Sequence, residues 1–114
     1  MSFRKMIKEK FNIELPIKDG NGINIENPIV IDHTVYNYVR VEKKCINYAC
    51  KILGMEWVIF HQELIEHMGK SIDVITIRIS KNGDFENNKQ TCFFFDVSEF
   101  IKNSAARAEV FREW

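Results

Sequence analysis

His61, Glu63 and His67 share parity along one stretch of the chain, so an extended backbone sets all three side chains on one face. Imidazole with carboxylate is a familiar zinc or iron donor set. His61 and His67 are six residues apart, however, which is about 20 Å along a strand rising about 3.3 Å per residue. They cannot share one ion, and a metal site would need His61 and Glu63 plus a ligand from elsewhere. The plainer reading is a solvated sheet face on which Glu63 reaches diagonally to Arg78. No metal is assigned, and His61, Glu63 and Arg78 stand as interface candidates.

A second group depends on a hairpin. A two-residue turn at Gly69-Lys70 pairs Leu64 with Ile75, Gln62 with Ile77 and Phe60 with Ile79 on an apolar face. The other face then collects His61 with Arg78, Glu63 with Thr76 and Ile65 with Val74, and is largely polar. The same register sets Glu66 opposite Asp73. Opposed carboxylates repel, and a desolvated one holds its proton more tightly, as a general acid or base requires. The competing expectation is that both fray into water beside the turn, with Lys70 as counter-charge. Gln62, between Phe60 and Leu64, is an amide on a core face that must find a partner or cost about 1–3 kcal/mol. It either anchors a free backbone group or orients a ligand. Gln62, Glu66 and Asp73 are therefore the ligand-binding candidates.

Other motifs fail on inspection. Asp19-Gly20-Asn21-Gly22 begins like a calcium loop, but Ile23 occupies the fifth position and no glutamate falls at the twelfth. Gly69-Lys70-Ser71 carries the tail of a phosphate-binding loop without the earlier glycine. Cys45 and Cys50 have no adjacent base, and Ser71 and Ser80 lack a glycine elbow. No nucleophile, catalytic set or cofactor motif is identified. Cys45, Cys50 and Cys92 are an odd number with no C-x-x-C spacing, and read as small buried hydrophobes in a reducing compartment.

The elements that must position these residues follow from periodicity. Apolar residues recur at three and four over 35–53, a helical stripe that Asp32 or Thr34 could cap and Gly54 stops. Residues 56–97 read as a β-meander, with strands at 56–66, 72–80 and 91–97 and a second turn at Asn82-Gly83. Cys92, Phe93, Phe94 and Phe95 are apolar on both faces, as in a central strand. Ser98 is positioned to cap a C-terminal helix over 98–113. Residues 1–31 read as an extended lead-in, with strand candidates at 11–17 and 23–31 that Pro16 and Pro28 confine to sheet edges. The expected fold is α+β in a single domain, 1–114: an antiparallel sheet of three to five strands, one helix packed on a face, and a C-terminal helix. In shape it would be broadly like cystatin or the nuclear-transport-factor domains.

Three runs carry a resemblance: Trp57-x4-Gln62-x-Leu64, then Gly69-Lys70-x2-Asp73-Val74-Ile75-x-Ile77, then Phe95-Asp96-x2-Glu99-Phe100. The chain resembles a group of small bacterial α+β domains in which a helix precedes a three-stranded meander. Its Glu-Asn-Pro-Ile-Val-Ile run at 26–31 is similar to their lead-in. The resemblance implies a fold and brings no activity with it.

Sixteen basic residues balance sixteen acidic ones, so no global positive field attracts nucleic acid or anionic lipid. The first ten residues carry charges every few positions and no apolar run of a secretory signal, and no stretch suits a membrane span. The expected location is the cytoplasm. Together these point to a small non-enzymatic protein-binding or accessory domain, immunity-like in kind, with a protein partner or a second copy of itself. The alternatives are a ligand or enzymatic pocket between helix and sheet, and an oligomerising C-terminal helix carrying Phe111 and Trp114.

Overall fold

The computed structural model describes residues 2–18, 20–32, 37–85 and 89–101. Its elements run α1 (Phe3–Phe11), β1 (Ile29–Val30), α2 (Tyr38–Leu53), β2 (Glu56–His67), β3 (Lys70–Ser80) and β4 (Lys89–Asp96). The fold is α+β, and the strands form one four-stranded sheet in the order β1-β4-β3-β2. β2, β3 and β4 pair antiparallel as the expected meander. β1 joins the far side of β4 in parallel, so the sheet is mixed and not purely antiparallel. The chain from β1 to β4 passes through α2 and the meander, and such a crossover is what parallel pairing needs. Pro28, which has no N–H to give a ladder, immediately precedes this edge strand.

α1 replaces part of the expected extended lead-in. Ser2 caps it by accepting from Lys5 N, Lys8 and Lys10 sit in its last turn, and Asn12 ends it in the left-handed region at φ 56°. Phe3 and Ile7 are buried. Met6 and Phe11 pack beside them, completing a stripe of helical period that the intervening charges obscure. The second strand candidate, 23–31, is not extended throughout: residues 22–27 turn, with Asn21 N and Gly22 N donating to Asn27 O, and the strand proper is Ile29–Val30, while the two candidate segments meet in a single bridge, Ile17 with Ile31. Gly20 is held there at φ 107°, where its carbonyl accepts from Phe3 N; a Cβ would lie 1.8 Å from the Pro28 carbonyl oxygen.

α2 is capped by Asn37, whose Oδ1 accepts from Arg40 N, rather than by Asp32; Thr34, the other expected cap, lies outside the described residues. Gly54 stops it at φ 66°, the conformation expected from the sequence. Residues 35–36 of the expected helix lie outside the described residues.

The hairpin turns at Met68-Gly69 and not at Gly69-Lys70: both turn residues have positive φ, 52° and 78°, as a tight turn matched to strand twist requires. Moving the turn by one residue moves every partner by two, which preserves the faces and changes the neighbours. Gln62 now pairs with Ile75, Leu64 with Asp73, Glu63 with Val74 and Glu66 with Ser71. A bulge between Ile59 and His61 shifts the ladder again at Phe60.

Ile75, Ile77 and Phe95 on one sheet face pack with Ile7 of α1, Cys45 and Ile46 of α2, and Leu15, Ile17, Ile29 and Ile31 of the lead-in. Residues 98–101 are helical. Asp96, rather than Ser98, satisfies the free amide there, its Oδ1 accepting from Ser98 N at 3.0 Å. The Ser98 hydroxyl donates to Asp96 and accepts from Ser71 N at 2.8 Å, strapping this turn to β3. The remainder of the expected C-terminal helix, with Phe111 and Trp114, lies outside the described residues.

Candidate functional site

Tyr38, Glu42 and Cys45 recur at four and three residues on α2, so the helix carries all three on one side. Cys45 is fully buried, and so is Glu42, at 0% exposure. Asp73 shares the core face of β3 with Ile75 and Ile77 and is 2% exposed. Gln62 Nε2 donates to Asp73 Oδ2 at 2.8 Å across the hairpin diagonal. Neither carboxyl oxygen of Glu42 has a donor among the described residues.

The group facing Glu42 is itself an acceptor. Burial, then the hydrogen bond to Asp73 and then its charge, push the Glu42 carboxyl up to about 10. Glu42 is therefore protonated at neutral pH, and its proton is the donor that two carboxylates otherwise lack. The same surroundings raise the Tyr38 hydroxyl, by burial first and then by the charges of Asp73 and Glu42. Burial, with Glu42 second, pushes the Cys45 thiol up to about 12. A thiol held this far from its thiolate is a poor nucleophile. The cluster can store a proton and lock α2 to β3, but both acids are closed to a substrate.

Of the ligand-binding candidates, Gln62 and Asp73 come together and Glu66 does not. Glu66 is exposed and lies opposite Ser71, so the expected Glu66–Asp73 pair does not form. The acidic neighbour of Asp73 is Glu42, and the signal for it was a charged residue inside the inward stripe Tyr38, Glu42, Cys45, Ala49. Polar groups at such positions need a partner, and this one is on another element.

The interface candidates lie on the opposite sheet face, on β2 and β3. His61 Nε2 stands 3.8 Å from Glu63 Oε2, both exposed. Arg78 does not reach Glu63. The register sets it beside Val58, and its guanidinium lies 4.1 Å from the centroid of the Phe60 ring, a cation–π contact. Phe60, expected on the core face, is 51% exposed because the bulge releases it. With Val58, Leu64 and Met68 it makes β2 and its turn the main seat of exposed large hydrophobics among the described residues; the others are Ile23 and Leu53.

A cavity of about 400 Å³ lies between α1, the 21–23 loop, the C-terminal half of α2 and β4, away from Gln62, Glu66 and Asp73. Cys50 lines it, and burial pushes its thiol up to about 11. Cys92 is exposed, contrary to the sequence expectation, with its sulfur 3.3 Å from Thr76 Oγ1 on the outer face.

Comparison of the chain with protein-family models, with curated proteins and with solved structures finds no match. Among the described residues no helix is long and apolar enough to cross a membrane.

Proposed function

We propose that this chain is a protein-binding module that docks through the edge strand β2. One observation carries the reading: along the 12-residue strand at the open edge of the sheet, Val58 and Phe60 are exposed beside Arg78 on one face and Leu64 on the other, and Met68 is exposed at its turn. A long, hydrophobic edge is a template for another chain and an aggregation hazard unless something covers it. His61, Glu63 and Arg78 would supply the polar rim around Phe60. The partner is a protein, either foreign or a second copy, and balanced charge argues against nucleic acid.

An accessory or immunity-like role in the cytoplasm accords with the small size and the resemblance to small bacterial α+β domains. A helix over a sheet, as in cystatin and the nuclear-transport-factor domains, is compatible with such a role and does not assign it. An enzymatic reading has less support, because Glu42 and Asp73 are shut off from solvent.

The test is a variant carrying Phe60→Ser and Leu64→Ser, compared with the natural chain for affinity capture from source cells and for mass in solution. Loss of a reproducible complex or dimer, with an unchanged circular dichroism spectrum, supports docking through β2. A natural chain that stays monomeric at about 100 μM, a concentration well above the affinity of specific complexes, and captures nothing sinks it.

A further inference from the structure

We propose that the cavity between α1, α2 and β4 is a binding site for a small uncharged apolar molecule. Its volume of about 400 Å³ lies within the roughly 300–1,000 Å³ of ligand pockets. Separate elements build it. Phe3 and Met6 come from α1, Cys50 and Ile52 from α2, and Phe93 from β4. The cleft is half open to solvent and largely apolar in its lining, so a guest of matching chemistry gains by removing that surface from water.

The mouth supports the assignment. Ile23 at 72% and Leu53 at 61% exposure also line the cavity, and they are the exposed large hydrophobics that the β2 patch leaves unexplained among the described residues. Charge decides the class of guest. No Lys, Arg, Asp or Glu lines the cavity, so an ionised carboxylate or ammonium would lose its hydration with no counter-charge to replace it. A neutral hydrocarbon chain or ring has no such cost. Asn21 adds one polar group: its Oδ1 accepts from Ile23 N at 2.9 Å, which leaves its NH2 as the donor for a single ligand oxygen.

The site shares no residue with β2, so it stands or falls apart from the docking reading. The probe is N-phenyl-1-naphthylamine, uncharged and fluorescent in apolar surroundings, titrated into the full chain. It should bind and brighten. 1-Decanol or naphthalene should displace it, the first marking a chain-shaped guest and the second a ring, whereas decanoate at pH 8 should compete at least tenfold less well. Ala49→Phe, which fills the cavity from α2, should weaken probe binding at least tenfold, as should Leu53→Ser at the mouth if Ala49→Phe does not fold. Phe60→Ser should leave binding unchanged. Absence of probe binding, equal competition by decanoate, or full binding by a folded cavity variant would each overturn the proposal.

Discussion

Glu42 is the residue on which the behaviour of the fold with pH turns. Its carboxyl is raised to about 10 by burial and by Asp73, whereas in the unfolded chain it titrates near the ordinary glutamate value of about 4.3. The folded state therefore keeps a proton that the unfolded state releases above that value. The Glu42 contribution is fully present below about pH 4.3 and declines as pH rises toward the folded pKa, by up to about 1.4 kcal/mol per pH unit. Glu42→Gln supplies a permanent amide donor to Asp73 and removes this linkage. Urea unfolding at pH 5 and pH 8 should show the natural chain losing stability over that interval and the variant losing less, with the variant the more stable at pH 8. Identical slopes in the two proteins would show that Glu42 is not held protonated.

Among the elements, the hairpin turn is where local strain and docking compete. Met68 sits at φ 52°, in a left-handed region that costs an ordinary L-residue roughly 1–2 kcal/mol and that asparagine tolerates better. Met68→Asn should thus stabilise the chain by about 0.5–1 kcal/mol, read as a higher melting temperature. Met68 is also 87% exposed at the end of the β2 patch. If it contacts a partner, the same variant should bind more weakly while melting higher, the trade expected where stability yields to function. The turn also explains what the sequence made legible in the hairpin and what it hid. Alternation showed that Gln62, Asp73, Ile75 and Ile77 share a face, because parity survives a shift by two. It could not show that Asp73 lies diagonal to Gln62 rather than opposite Glu66, since Met68 is a poor candidate for a turn position that its φ nevertheless occupies.

For the molecule as a whole, the lead-in ties α1 and β1 to the meander. Phe3 N and Pro28 converge on Gly20, Gly22 O accepts from Phe94 N, and Ile31 N donates to Asp96 O. Gly20→Ala places a methyl against the Pro28 carbonyl and strains a positive φ, and should destabilise the chain by about 2 kcal/mol or more in chemical denaturation. A variant as stable as the natural chain would mean that this loop moves aside freely. The sequence by itself determined what depends on near neighbours: the stop of α2 at Gly54, the meander, the alternating faces and the edge position of the segment after Pro28. Only the tertiary structure decided that β1 pairs parallel to β4, that Glu42 meets Asp73, that a bulge exposes Phe60, and that a cavity opens beside Cys50. Those features arise where elements distant in the chain come into contact, and periodicity within an element says which face is buried without saying what it is buried against.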